Sequence, residues 1–121
     1  MFVSVTNRSR PSASPIRARY CSTFLCRFRG LMLHKELGKF NGLLIVEKRD
    51  SKVNATIHML FVRFDIAVIW INSLHKVVDV CLANRWGLSF SPNVPARYIL
   101  ETHVNRLADF IVGDEVSIET N

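Results

Sequence analysis

The sequence IHMLFVRFDIAVIWIN, residues 57–72, is the longest apolar run in the chain. It contains no glycine or proline, and it carries one histidine, one arginine and one aspartate. When the run is read with a period of two residues, both sides are largely apolar, which is typical of a strand covered on both faces. Several β-branched residues follow Asp65 and favour a strand over a helix. We therefore expect two consecutive strands with a break near residues 63–65, or one long bent strand.

A membrane-spanning helix is the rival interpretation of the same run. Such a helix needs about 20 apolar residues with almost no charge. Arg63 and Asp65 lie in the middle of the run, and each ion would cost roughly 2.5–3.5 kcal/mol at the centre of a membrane helix. We therefore expect a soluble protein without a membrane partner.

Length and composition indicate one domain over residues 1–121, since 49% of the residues are hydrophobic and can supply a core. The chain has three cysteines, Cys21, Cys26 and Cys81, and no pair has the two-residue spacing of a zinc knuckle or a redox motif. We expect buried or idle free thiols in a reducing compartment, and hence a cytoplasmic location.

Positive charge is concentrated at the N-terminus, although the whole chain carries a net charge of +6. Residues 51–121 hold six basic and seven acidic residues, so the excess lies before them. Such a segment resembles an organelle transit peptide, and it would also suit an arm that contacts the phosphates of a nucleic acid. A third interpretation places the arginines on the exposed face of a first strand pair. The first thirty residues contain no acid and six arginines: Arg8, Arg10, Arg17, Arg19, Arg27 and Arg29.

Short β-prone segments separated by turn residues recur along the rest of the chain. About eight strands result, which predicts a mainly β fold: a single compact sandwich or barrel-like domain with one or two short helices. An α+β layer fold would require longer helices than these segments offer. Besides the central run, the predicted strands are residues 2–6, 16–20, 43–47, 77–83, 97–102 and 116–119, and residues 104–110 form a short turn or helix.

Residues 22–30 are predicted to form a short helix. Ser22 or Thr23 can cap its first turn, and Gly30 can end it. The helical period places three apolar side chains on a buried face and points Arg27 away from the core. These apolar side chains are Phe24, Leu25 and Phe28.

Seven fragments in order along the chain resemble the uncharacterised family called domain of unknown function 192. The resemblance implies a single β-rich, sandwich-like domain with one or two short helices and no settled biochemical activity. It also implies that the N-terminal arginines belong to the first strands of the domain. The fragments are NRSR at 7–10, RFRGLM at 27–32, GLLI at 42–45, IHM at 57–59, FVRF at 61–64, ARYILE at 96–101 and GDEV at 113–116.

The chain departs from the family pattern where the family usually reads Phe-Pro-Ile-Asp. Here residues 64–67 read Phe-Asp-Ile-Ala. The proline that would end the strand is absent, and Ala67 replaces the usual acid. A role that depends on this acid is in doubt unless Asp65 substitutes for it from the opposite face of the strand.

Four polar residues are the candidates for ligand binding: Arg27, His58, Arg63 and Glu101. His58 lies in an apolar strand, where an imidazole needs a partner. Glu101 ends another apolar strand, and nearby arginines are its possible partners. In one interpretation these side chains form a pocket in which an arginine receives an anion. In the other they form a structural polar cluster, and His58 simply hydrogen-bonds a backbone carbonyl or a carboxylate.

No pattern in the sequence indicates a catalytic, metal or cofactor site. HxH and HExxH spacings are absent, as are a glycine-rich phosphate loop and a GxSxG elbow. We therefore expect a small binding or interaction domain, more a binder than an enzyme, with a pocket for a small anionic ligand or an acidic partner. The alternative is nucleic-acid binding through the basic N-terminal strands. A hydrolase or transferase is least supported, because no pair of nucleophile and base is identifiable.

Overall fold

The computed structural model describes residues 1–120 and shows a mainly β fold with two short helices, as the sequence predicts. Within these residues seven strands form one sheet. The elements are β1 (Phe2–Asn7), β2 (Ile16–Cys21), α1 (Phe24–Arg29), β3 (Asn41–Ser51), β4 (Ile66–Ile71), β5 (Val77–Ala83), β6 (Ala96–His103), a 3₁₀ helix (Val104–Asp109) and β7 (Val116–Thr120).

The strand order in the sheet is β5-β4-β6-β3-β2-β1-β7. All neighbouring strands are antiparallel except β2 and β3, which are parallel. A parallel pair needs a crossover connection, and α1 with residues 30–40 provides it. The sheet curls so that Lys76 and Glu115 form a single bridge between its two ends. The sheet nevertheless stays open.

Strand β4 contributes to two apolar cores, one on each face of the sheet. All six of its residues are buried. Ala67, Ile69 and Ile71 face one core, and Ile66 and Trp70 face the other. The prediction of a strand covered on both faces is therefore confirmed for the second half of the central run.

The first half of the run, residues 57–65, was expected to be a strand, and this prediction is wrong. Ile57, Met59 and Val62 are buried in the second core, but the backbone between them turns, and Phe61 has a φ of 60°. The segment is a loop that covers one face of the sheet, with three apolar anchors. Apolar residues mark burial in the sequence, and burial does not distinguish a buried loop from a strand.

Helix α1 begins and ends where the sequence predicts. The Thr23 hydroxyl caps it by accepting a hydrogen bond from the backbone N–H of Cys26 at 3.2 Å. Gly30 ends it with φ 49° and ψ −125°, a conformation that is essentially restricted to glycine. The helices within residues 1–120 are six residues long, and neither is long and apolar enough to cross a membrane.

The predicted orientation of α1 is wrong. The three apolar side chains are between 59% and 76% exposed: Phe24, Leu25 and Phe28. Arg27 instead points towards the sheet and is half-buried. The reason lies on β3, where the buried carboxylate of Glu47 accepts a hydrogen bond from Arg27. A buried carboxylate needs a cationic partner, and this requirement outweighs the apolar face of so short a helix.

The prediction that all three cysteines are free is also wrong. Cys21, at the end of β2, and Cys26, within α1, form a disulfide with a Cα–Cα distance of 5.6 Å, and Cys81 is free. The two cysteines are separated by five positions, so a search for two-residue spacings does not detect the pair. This separation carries the chain from the end of β2 to the first turn of α1, where the two side chains can meet. Burial, together with the negative charge of Asp79, raises the pKa of the Cys81 thiol to about 11.

Candidate ligand-binding site

A cavity of about 470 Å³ lies between α1, β3, β6 and the loop of residues 57–65, which we call the covering loop. We call it the Glu101 cavity, after the carboxylic acid in its wall. It lies on the face of the sheet that carries the second core, since Leu31, Ile45, Ile57 and Ile99 belong to both. The crossover connection between β2 and β3 thus forms one side of the cavity.

Glu101 is a buried acid without a partner. Its residue is 4% exposed, and its carboxyl group forms no hydrogen bond or ion pair within residues 1–120. Burial raises the pKa of Glu101 from the ordinary 4.5 to about 8. The carboxyl group is therefore mostly protonated at pH 7 and can donate one hydrogen bond as well as accept others.

Two glycines bring the backbone close to Glu101. Gly42 on β3 faces Thr102 across the ladder, and a Cβ atom there would lie 2.9 Å from the backbone carbonyl oxygen of Glu101. A Cβ atom on Gly30 would lie 3.7 Å from the Glu101 Oε1 atom. Gly30 thus ends α1 directly beside the acid, so the helix terminus and the carboxyl group share one wall of the cavity.

Arg27 and Glu47 form an ion pair in the wall of the cavity. The Nη1 atom of Arg27 donates to Oε1 of Glu47 at 2.6 Å. The Nε atom of Arg27 is buried and has no hydrogen-bond partner within residues 1–120. The charges of this pair cancel, but one buried donor remains unsatisfied, which costs roughly 1–3 kcal/mol unless an acceptor reaches it.

His58 connects the covering loop to α1. Its Nδ1 atom accepts a hydrogen bond from the backbone N–H of Leu60 at 3.2 Å. The Nε2 atom then carries the proton and donates to the backbone carbonyl of Phe28, also at 3.2 Å. Both ring nitrogens are therefore occupied by backbone groups, which supports the structural interpretation of His58.

Three exposed basic side chains complete the polar part of the wall: Arg29, Lys48 and Arg49. None of them forms an ion pair within residues 1–120. The register between β3 and β6 shifts between Val46 and Ser51. This bulge explains why consecutive residues 47–49 all line the cavity, whereas a regular strand would point alternate residues to opposite faces.

The structure brings together three of the four residues that the sequence singled out. Arg27, His58 and Glu101 line the same cavity, and Arg63 lies outside the lining on the exposed surface. Ala67, at the position of the family acid, is buried in the opposite core. Asp65 does not substitute for that acid in the cavity, because it is bound to Arg85, whose Nε atom lies 3.2 Å from the Asp65 Oδ1 atom. Arg85 lowers the pKa of Asp65.

Sequence reasoning missed Glu47, Lys48 and Arg49. Glu47 follows Leu43 and Ile45 at two-residue intervals, so the strand period could have placed it on the same face as these buried residues. Lys48 and Arg49 follow the strand predicted at residues 43–47, and no sequence signal marks the bulge that turns them to the cavity. Within residues 1–120, no group of three or more His, Cys, Asp or Glu side chains could hold a metal ion.

The six N-terminal arginines do not form one free cationic surface. Arg10 pairs with Asp114 at 3.1 Å, and Arg27 pairs with Glu47. The guanidinium group of Arg17 lies 3.7 Å from the ring centroid of Phe2. The resemblance implies that these arginines belong to the first strands, but only Arg17 and Arg19 lie in a strand, β2, whereas Arg27 and Arg29 belong to α1.

An open, mainly β sheet with a lateral polar cavity defines a class of small single-sheet proteins, and the comparisons with known proteins identify the family. The profile of domain of unknown function 192, described as "Uncharacterized ACR", matches residues 5–118. The chain therefore belongs to this family.

Related proteins of the same kind occur in archaea. The chain is 37% identical over 115 residues to UPF0127 protein TK1120 of Thermococcus kodakarensis, covering 93% of this chain and 71% of the relative. It is 41% identical over 97 residues to a UPF0127 protein of Thermococcus gammatolerans, covering 78% of this chain and 61% of the relative. The chain thus spans less than two thirds of the second relative's length.

Two crystal structures show the same fold. A protein of unknown function from Novosphingobium aromaticivorans superposes with a TM-score of 0.81 at 20% identity, over 96% of this chain and 83% of that one. A protein from Sinorhizobium meliloti, provisionally described as a transcription regulator, superposes with a TM-score of 0.83 at 16% identity, over 97% and 92%. At these identities the likeness concerns the fold alone.

Proposed function

We propose that the Glu101 cavity binds a small anionic organic molecule. The observation that carries this proposal is the buried carboxyl group of Glu101, which faces a cavity and has no partner within residues 1–120. Buried polar groups in proteins are almost always hydrogen-bonded. An acid without a partner in a cavity wall is therefore a candidate contact for a ligand.

The charges around the cavity favour an anion over a cation. The ion pair of Arg27 and Glu47 is neutral, and Glu101 is mostly protonated at pH 7. The remaining charged side chains in the lining, Arg29, Lys48 and Arg49, are all positive. A ligand with one or two negative charges would be attracted by this wall. The cavity volume of about 470 Å³ lies within the usual range for small-molecule sites.

The protonated carboxyl group of Glu101 would donate its O–H to an acceptor oxygen of the ligand. Lys48 and Arg49 would then contact the ionised group nearer the solvent, where they are exposed. The apolar side chains of α1, Phe24 and Phe28, would cover the carbon skeleton. The site thus selects an anion that has at least one further acceptor.

A thermal-shift screen of acidic metabolites tests this proposal, and an acidic peptide is included because its terminal carboxylate offers the same chemistry. We expect at least one anion to stabilise the wild type, and Lys48→Gln to weaken the response. Arg63→Gln removes one positive charge outside the cavity and should leave the response unchanged. Glu101→Gln keeps a donor and an acceptor and should retain binding, whereas Glu101→Leu should abolish it. An equal response from wild type and Glu101→Leu would sink the proposal.

Nucleic-acid binding through the N-terminal arginines is the second candidate, favoured by the description of the Sinorhizobium meliloti protein as a transcription regulator. The intramolecular partners of Arg10, Arg17 and Arg27 weaken it. Fluorescence anisotropy with single-stranded DNA and RNA tests it, because phosphate contacts give an affinity that falls steeply with salt. Absence of binding at low salt would eliminate this candidate.

We propose further that the described chain acts as one domain in the cytoplasm. The disulfide between Cys21 and Cys26 provides the test of location, since such bonds are rare in reducing compartments. Thiol trapping in cells decides between the two locations: reduced thiols at both positions would support the cytoplasm, and complete oxidation would point to an oxidising compartment.

A further inference from the structure

A second, smaller cavity of about 190 Å³ adjoins the Glu101 cavity at the C-terminal end of α1. Arg29 and Gly30 belong to the walls of both cavities. We call the smaller one the Arg19–Arg29 cavity. Its lining consists of Arg19, Thr23, Leu25, Cys26, Arg29, Gly30, His34 and Leu43, and it contains no carboxylate.

Three basic side chains from different elements meet at this cavity. Arg19 comes from β2, Arg29 from the end of α1 and His34 from the crossover connection. Within residues 1–120, neither arginine forms a side-chain hydrogen bond or an ion pair. The described residues 1–120 thus place two unpaired guanidinium groups and an imidazole around one concave space, with no acid among its lining residues.

The pKa of His34 reflects the two arginines that line the same cavity. Burial lowers the pKa of His34 first, and the positive charges of Arg29 and Arg19 lower it further. Lys35 and Glu36, its neighbours in the chain, are exposed and lie outside the cavity lining. His34 is therefore held towards its neutral form, in which one ring nitrogen donates and the other accepts a hydrogen bond.

When the disulfide is formed, it links the backbone segments that carry the two arginines. The disulfide joins Cys21, two residues after Arg19, to Cys26, three residues before Arg29. Repulsion between two cations would otherwise separate them. A constraint that holds unpaired cations together prepares a site for an anion, because the site need not be ordered when the anion arrives.

We propose that the Arg19–Arg29 cavity binds a phosphate or sulfate oxyanion, either free or as the end of an organic ester. Guanidinium groups present parallel N–H donors that match the oxygens of such ions, and the neutral His34 can add one N–H. The volume of about 190 Å³ has room for a compact ion of this kind. This site is distinct from the Glu101 cavity, because Arg19 and His34 line only the smaller cavity, although the two cavities share Arg29 and Gly30.

NMR titration of the uniformly labelled protein with sodium phosphate, sodium sulfate and phenyl phosphate tests this proposal, with sodium chloride at matched ionic strength as the control. We expect saturable shifts of the His34 ring signals and of the Thr23 and Gly30 amides with the oxyanions, and none with chloride. Bound oxyanion should also raise the pKa of His34, since it offsets the two positive charges. Tighter binding of phenyl phosphate than of phosphate would identify an ester as the ligand, and equal binding the free ion.

Charge-removing variants separate a specific site from general attraction to a basic protein. Arg19→Gln should weaken phosphate binding at least about fivefold, while the matched variant Lys35→Gln, outside the lining, should leave it unchanged. Without any anion, Arg19→Gln should raise the pKa of His34, and unchanged amide signals away from the cavity should show that the variant is folded. The proposal is overturned by the absence of saturable shifts with all three oxyanions, or by equal weakening in Arg19→Gln and Lys35→Gln.

Discussion

Replacement of the buried acid by its neutral amide, Glu101→Gln, should make the protein more stable at alkaline pH. The pKa of Glu101 is about 8 in the folded protein and 4.5 ordinarily. Between these values the folded state therefore holds a proton that the unfolded state has lost. The stability of the wild type must then fall as pH rises from 4.5 to 8, and level off above 8. Glutamine does not titrate, so the variant escapes this loss.

The size of the effect follows from the shift in pKa. From pH 5 to pH 9 the wild type should lose about 4 kcal/mol relative to the variant, at roughly 1.4 kcal/mol per pH unit across the interval. This value is a large part of the stability of a domain of this size.

Urea unfolding of both proteins at pH 5, 7 and 9 measures the difference, with the slope m checked for constancy. Glu36→Gln makes the same chemical change at an exposed position and should run parallel to the wild type at all three pH values. If Glu101→Gln also ran parallel to the wild type, the carboxyl group would titrate normally. The acid would then be hydrated or paired, and the case for a ligand contact at Glu101 would fail.

Three further substitutions test the structure around the cavities. Gly30→Ala should cost roughly 1–3 kcal/mol in urea unfolding, because Gly30 adopts φ 49° and ψ −125°; a cost below about 0.5 kcal/mol would contradict this backbone conformation. Cys26→Ser should cost about 2 kcal/mol, the chain entropy of a loop closed by a sequence separation of 5, and reductant should remove the difference from wild type. Trp70→Phe should cost about 1–3 kcal/mol, because the buried carbonyl of Ala55 loses the indole donor at 2.8 Å; the far-ultraviolet circular dichroism of the variant should stay unchanged.

Much of the sheet was predictable from the sequence because its strands are short, β-branched and bounded by turn residues. β1, β2 and β5 lie within one residue of their predicted bounds. The central run misled because Phe61 turns the chain with a positive φ while its apolar neighbours stay buried. A pattern of burial is the same for both backbones, and only tertiary contacts decide between them.

The candidate site was predictable only in part. Arg27, His58 and Glu101 stood out as polar residues in apolar or basic segments, and the fold brings them to one cavity. Arg63 stood out for the same reason but lies outside it. The second cavity could not be predicted from the sequence, because it forms where β2, α1 and the crossover connection meet. No spacing in the sequence indicates that Arg19 and Arg29 line the same cavity.

The pairing of β1 with β7 ties the first residues of the described chain to the last. Val5 lies opposite Ile118 in an antiparallel ladder, so during synthesis β1 has one uncovered edge until residues 116–120 have left the ribosome. The sheet therefore completes itself only after translation of this segment, and the nascent chain carries an unpaired strand edge for most of its synthesis. A chain that is truncated before β7 would expose the edge of β1 and would be prone to aggregate through it.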